Sequence, residues 1–295
     1  MSNDISEEAA NSLLLLTEYA TEANLFNTNT VRVLDELMNL APTSDDSQYY
    51  LRTLAPETLG YIAAMGNDEA LMKLIRFIKG KKNWDVTDVM ALKIVTENRS
   101  IAKIFFQDHQ DIIKRLKDIL IQNQNKPFED YYFAYQVATI LEFVGEEAFI
   151  IDFLDKIINN KNTSEQLKLA VAEAVYKYDR DERNKIKGLE AIIALYRNNP
   201  RENRWIQGTT GCILYKIGKP SIERLGEVSQ DNPKLQEDTQ LLIEAINNSN
   251  PNIGDQNICG PEGAGDPGWW AKKLVSHFSS RQVARNDKVK RKGTN

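Results

Sequence analysis

The stretch Val137-Ala-Thr-Ile-Leu-Glu-Phe-Val-Gly-Glu-Glu-Ala-Phe-Ile-Ile-Asp-Phe-Leu154 decides the fold. Its apolar residues recur at helical spacing up to Gly145, where the run is interrupted, and then resume at helical spacing. Glycine reaches the left-handed conformation that ends a helix at no steric cost. The stretch therefore predicts two short helices joined by a glycine turn. Leu59-Gly-Tyr-Ile-Ala-Ala-Met-Gly-Asn-Asp-Glu-Ala-Leu-Met-Lys-Leu-Ile-Arg-Phe-Ile78 repeats the design, with Gly66 at the turn and Asn67 or Asp68 as the cap of its second helix.

Two more segments follow the plan. Ala170-Val-Ala-Glu-Ala-Val-Tyr-Lys-Tyr-Asp-Arg180 turns at Asp179 and resumes at Gly188-Leu-Glu-Ala-Ile-Ile-Ala-Leu-Tyr196. Cys212-Ile-Leu-Tyr-Lys-Ile-Gly-Lys-Pro-Ser-Ile-Glu-Arg-Leu225 turns at Gly218, with Pro220 opening its second helix. The turns at 145, 179 and 218 lie roughly 35–40 residues apart, and the interval from Gly66 to Gly145 leaves room for a degenerate unit around Val86–Val95 and Ile101–Ile121. Ser6 is a cap for an earlier helix reaching about Phe26, and another covers about Thr30–Leu40. A helical pattern from Tyr49 to Ala63 is expected to break or kink at Pro56. Asn232 as cap and Pro233 in first position would begin a last helix reaching about Asn247.

This layout resembles HEAT-type (PBS-lyase-type) helical repeats, most closely at Leu214–Leu225, and the resemblance covers roughly 59–246. It implies an all-α fold: a HEAT-like α-solenoid in which each helix pair buries its apolar face against the next. An irregular all-α array is the alternative arrangement of the same helices. The expected core includes Leu59, Ile62, Leu71, Leu74, Ile75, Leu141, Ile151, Leu154, Leu169, Val175, Ile192, Leu195, Ile213, Leu214, Leu241 and Leu242.

Three regions are expected: a helical repeat domain over 1–249, a Gly/Pro-rich flexible linker over 250–266, and an amphipathic segment with a basic tail over 267–295. In the last, Trp270, Leu274 and Phe278 share one helical face beside Trp269, Lys272 and Lys273. Residues 271–295 hold eight basic residues against Asp287, a net +7, which leaves −12 on the other 270 residues of a chain of net charge −5. This segment reads either as a cap over the open end of the repeats or as an anchor for a partner groove, an acidic surface or a lipid interface.

The inventory for chemistry is thin. His109 and His277 lie in different modules and in no metal-ligand spacing, so neither a metal nor a cofactor is expected. His109 reads as an exposed or capping residue. HEAT-like deoxyhypusine hydroxylases hold iron through His-Glu pairs, and this chain has no His-Glu dipeptide. Cys212 is expected as a small core residue and Cys259 as an exposed linker thiol. The paired carboxylates Asp45-Asp46 and Glu146-Glu147 sit at turns and helix starts, where they complement helix dipoles.

Residues 177–224 carry eleven basic and six acidic residues, with Arg197, Arg201, Arg204 and Lys216 around Trp205. HEAT-like alkylpurine DNA glycosylases bind DNA on a basic concave surface, which makes nucleic-acid binding or base excision the alternative function. The net acidic body tells against it. A chromophore lyase or chaperone is a third reading. The first is a non-enzymatic protein-binding or scaffold module. The acidic start carries no secretion leader and no apolar run approaches the length of a membrane span, so a cytoplasmic location is expected.

Overall fold

The computed structural model describes residues 28–39, 46–125, 130–198 and 204–248. All regular structure among them is helical: α1 (Thr28–Met38), α2 (Asp46–Ala64), α3 (Asp68–Gly80), α4 (Val86–Glu97), α5 (Arg99–Asp108), α6 (Gln110–Asn123), α7 (Tyr131–Phe143), α8 (Glu147–Ile157), α9 (Glu165–Tyr178), α10 (Glu182–Asn198), α11 (Arg204–Ile217), a 3-10 turn at Lys219–Ser221, α12 (Ile222–Asp231) and α13 (Gln236–Asn248). The helix expected over 6–26, the linker and the tail lie outside the described residues. The chain divides into two compact units, one ending at Asp179 and the other beginning at Arg180.

The glycine turns form as expected. Gly66, Gly145 and Gly218 have φ of 96°, 90° and 76°. At the first two the chain also makes the six-to-one bond of a Schellman ending: Asn67 N donates to Ile62 O at 3.3 Å and Glu146 N to Leu141 O at 2.9 Å. The next helix is capped at once in α3, where Asn67 accepts from Ala70 N. Ser164 caps α9 in the same manner, accepting from Leu167 N.

Four expected boundaries move. The helix around Pro56 does not break; α2 runs through it, with the Thr58 hydroxyl donating to Leu54 O at 3.0 Å. The span 101–121 is two helices, because His109 (φ −129°, ψ 51°) leaves helical geometry between them. Asn232 closes α12 instead of opening α13; its carboxamide oxygen accepts from Lys234 N, so Pro233 stands in a turn and the helix begins at Gln236. Pro220 opens a 3-10 turn before α12.

In the first unit alternate helices pack side by side: α2 on α4, α4 on α7, α7 on α9. The intervening helices meet through polar contacts. Lys79 pairs with Asp111 at 2.9 Å between α3 and α6, and Lys117 with Glu146 at 2.5 Å between α6 and the start of α8. In the second unit α10 packs on α11 and α12, and α13 on α11 and α12. Most of the expected core is buried, but Leu71, Ile75, Ile151 and Leu241 are only half-buried. In α3 the inward stripe is Ala70, Leu74 and Ile78, so Leu71 and Ile75 flank it.

The α2–α4 crossing is the tightest approach among the described glycines. A Cβ at Gly60 would lie 2.8 Å from the Ala91 carbonyl oxygen and 3.1 Å from its Cα, so the two backbones touch there. Gly60→Ala should force them apart and cost about 1–3 kcal/mol. Urea denaturation measures this, and an unchanged midpoint would mean that the helices do not cross at Gly60.

Candidate functional site

The helices α4, α7 and α9 gather the polar groups that the core does not explain. In α7, Gln136, Thr139 and Glu142 are all at most 3% exposed, in a helix otherwise buried through apolar residues. Gln136 Oε1 and both carboxylate oxygens of Glu142 have no hydrogen-bond partner. Buried acceptors without donors are costly and rare, so such groups mark places where packing alone does not set the sequence.

Along one side of α7 runs an aromatic strip. Tyr131 and Tyr135 stack at 6.1 Å between centroids, and Tyr178 from α9 lies 6.4 Å from Tyr135 and 4.9 Å from Phe143. Lys177 Nζ donates to the Tyr135 hydroxyl at 3.2 Å and sits 5.3 Å from the Tyr178 ring centre. The Tyr131 hydroxyl donates to Glu173. Burial, then the Glu173 charge, pushes the Tyr131 and Tyr135 hydroxyls above the ordinary phenol range. At the end of the strip Glu142 is pushed up to about 8, first by burial and then by the carboxylates of Asp179 and Glu147.

A second cluster joins α2, α4 and α7. The Tyr132 hydroxyl lies 3.2 Å from Met90 Sδ. Lys93 pairs with Glu97 at 2.5 Å. Burial raises the pKa of half-buried Glu57. Burial also raises the Tyr132 hydroxyl, with nearby Lys93 opposing and Glu57 adding. A cleft of about 350 Å³ between α1 and α3 is lined by Asp35, Asn39, Arg76, Phe77, Gly80 and Lys81. Two of its charges are engaged: Asp35 with Lys73 at 2.6 Å, and Lys81 with Asp85 and Asp88.

The residues singled out from sequence fare differently. Trp269, Trp270, Lys272, Lys273, Leu274 and Phe278 lie outside the described residues, as do Arg201, Cys259 and His277. Arg204 and Trp205 stand in the first turn of α11, with side chains outside the description. Arg197 pairs with Asp231 at 3.2 Å, and Lys216 is exposed in the last turn of α11. Arg224, from the same basic region, pairs with Glu190 at 2.7 Å and Glu227 at 2.9 Å. The structure thus does not gather Arg197, Arg224 and Lys216 into one bare cationic surface, because neighbouring carboxylates neutralise the first two.

Cys212 differs from its expected role. It is half-buried in α11 and not a full core residue. His109 sits between α5 and α6, its ring 5.3 Å edge-on to Phe105 and its Nδ1 3.2 Å from Lys79 Nζ. Among the described residues no group of His, Cys, Asp and Glu is placed to hold a metal ion, and no helix is long and apolar enough to cross a membrane.

Sequence reasoning missed Glu57, Tyr132, Gln136 and Glu142. A signal for two of them was present: Gln136 and Glu142 interrupt an apolar helix at positions where its neighbours are core. Compared with family models, curated proteins and solved structures, the chain has no significant match in any of the three.

Proposed function

We propose that the protein is a non-enzymatic binding module: a HEAT-like α-solenoid that holds a protein partner, with 267–295 as a second point of attachment. One observation supports the repeat reading above others. Side-chain bonds between successive modules recur at nearly the repeat length. Asn98 Nδ2 donates to Ala64 O, 34 residues back, and Asn232 Nδ2 to Arg197 O, 35 back. Thr163 Oγ1 donates to Gln124 O, 39 back. Stacked repeats bring equivalent positions of neighbours together in this way, and they leave an extended face for a partner. A cytoplasmic location belongs to the same reading.

The outward side of α13 bears on the tail. Its exposed positions are Gln236, Glu237, Gln240, Glu244 and Asn247, a polar stripe. An end of this kind needs no apolar cover, which favours Trp269, Trp270, Leu274 and Phe278 as an anchor over a cap. Lys272, Lys273 and the basic end add attraction to an acidic protein surface or an anionic membrane, about 1 kcal/mol per residue near lipid. The ion pairs of Arg197 and Arg224 tell against the nucleic-acid reading.

The test compares the intact chain with a Trp269→Ala/Trp270→Ala variant and a truncation ending at Asn250. The expected result is an unchanged melting temperature for all three. Affinity purification with mass spectrometry should recover a partner that both altered chains lose, or anionic vesicles should sediment only the intact chain. A large drop in melting temperature with binding retained would make the segment a cap and overturn the anchor.

A further inference from the structure

The cleft between α1 and α3 holds one charge without a partner. Of its lining residues, Asp35 is held by Lys73 at 2.6 Å and also accepts from Asn39 Nδ2 at 3.3 Å. Lys81 is held by Asp85 at 3.0 Å and Asp88 at 2.7 Å. Arg76 is exposed, and its guanidinium makes no ion pair or hydrogen bond with any described residue. Next to it, half-buried Phe77 supplies an apolar wall, with Lys81 Nζ 4.7 Å from its ring centre. Gly80 leaves the cleft open at the end of α3, since a Cβ there would meet no atom within 4 Å. The space, about 350 Å³, suffices for a side chain and part of its neighbour.

A guanidinium with its whole fork of donors unengaged, set beside an aromatic ring, specifies an anion with an apolar neighbour. A phosphate dianion calls for more than one cation, and the second cation of the cleft, Lys81, already serves two carboxylates. Asp35 and the negative end of the α3 dipole add repulsion to a double charge. A carboxylate carries a single charge and takes both of its hydrogen bonds from one guanidinium. We propose that the α1–α3 cleft seats an aspartate or glutamate side chain of the protein partner on Arg76, with an apolar neighbouring residue against Phe77 and over Gly80. This rests on the binding-module reading and names the chemistry of what is bound. Charge elsewhere in the chain points to the same occupant: residues 271–295, at +7, attract an acidic protein surface. The body of the chain is net acidic, so the cleft adds no long-range attraction of its own and recognises its carboxylate at contact.

The probe is a rhodamine-labelled peptide of about a dozen residues repeating Glu-Leu-Gly, titrated with the full chain at about 150 mM salt to screen diffuse attraction. Fluorescence anisotropy reads the affinity. Arg76→Gln should weaken binding about tenfold, the loss of one charge-assisted pair. Arg76→Lys keeps the charge without the fork and should fall between the two. A peptide with Gln in place of Glu should bind about as weakly to the intact chain as the Glu peptide does to Arg76→Gln. Gly80→Leu fills the open end of the cleft and should also weaken binding at least tenfold. It replaces glycine with a strong helix former in the last turn of α3, so the melting temperature should hold or rise and its loss of binding would not reflect unfolding. Lys114→Gln, which removes an exposed cation of α6, should change nothing. Absence of binding by the intact chain, indifference to Arg76→Gln or Gly80→Leu, equal affinity for the Gln peptide, or an equal loss on Lys114→Gln would each overturn the seat. Any of these with the Trp269/Trp270 dependence intact would sink the carboxylate seat alone and leave the binding module standing.

Discussion

Asp88→Ala should destabilise the first unit by about 3–5 kcal/mol, the cost of breaking a buried ion pair from one side. Asp88 is 0% exposed at the start of α4, and each of its carboxylate oxygens lies 2.7 Å from Lys81 Nζ. One of them also accepts from Asp85 N at 2.9 Å, while the Asp85 side chain accepts from Thr87 N and Asp88 N: a reciprocal capping box. Burial outweighs Lys81 and lifts the Asp88 carboxyl above its ordinary range, so the pair is held at a desolvation cost. Removing the carboxylate abolishes one half of the cap and leaves Lys81, 26% exposed, with Asp85 as its remaining carboxylate partner. Asp88→Asn keeps an acceptor for Asp85 N and should lose less. At about 2–4 °C per kcal/mol for a unit of this size, the alanine variant should melt roughly 10 °C lower. The exposed pair Arg32–Glu36, with side chains 65% and 68% exposed, gives the contrast: its removal should be barely measurable. A loss below about 1 kcal/mol for Asp88→Ala would show that the Lys81–Asp88 contact contributes little net stability.

What the sequence disclosed follows from how local each feature is. A left-handed residue between two apolar runs is a property of a few neighbouring residues, so Gly66, Gly145 and Gly218 could be placed from the chain alone. The stripe Ala70, Leu74 and Ile78 is nearly as local, and the expectation went astray only by one flank, at Leu71 and Ile75. The break at Pro56 and the boundaries within 101–121 were misplaced because tertiary packing overrides propensity: a helix packed on both α3 and α4 absorbs a missing N–H, and a helical-looking run yields where neighbours require a corner. The unpartnered groups were illegible for a different reason. Whether Glu57 finds a donor depends on residues of α4 and α7 far along the chain, and Tyr132 meets Met90 across 42 positions. No spacing rule shows which acceptors a fold leaves unmet. The tail, whose composition is the most distinctive feature of the sequence, lies outside the described residues, so its reading still rests on composition and on the polar face of α13.

Stability should fall as pH rises from about 5 to above 8, and Glu142→Gln should flatten most of that slope. Glu142 is 2% exposed and neither carboxylate oxygen has a partner. Burial, then the neighbouring carboxylates of Asp179 and Glu147, pushes its pKa from the ordinary 4.5 up to about 8. The sign follows from proton counting. Between these two values the folded chain keeps a proton on Glu142 that the unfolded chain has released, so raising the pH favours unfolding. The contribution is fully present below about 4.5, declines across the neutral range and is gone once the folded group has ionised. Each pH unit of that window corresponds to about 1.4 kcal/mol, giving a ceiling of roughly 4–5 kcal/mol that relaxation of α7 against α9 would reduce. Carboxylates held below their ordinary range act with the opposite sign, Asp85 through the Thr87 hydroxyl and then Lys81, Asp111 through Lys79 and Asp181 through Arg183, but their window lies below about pH 4. Glu57 and Asp88, also raised by burial, act with the same sign as Glu142; Glu142, pushed up to about 8, is the carboxyl whose ionisation reaches furthest into the neutral range. Urea denaturation at half-unit steps from pH 5 to 9, on the original chain and on Glu142→Gln, measures the difference directly. Glutamine keeps the shape, adds no charge and cannot titrate, so the two curves should separate progressively with rising pH. Parallel curves would mean that Glu142 ionises as readily in the folded chain as in the unfolded one, and that water or a donor reaches a carboxylate held between α7 and α9.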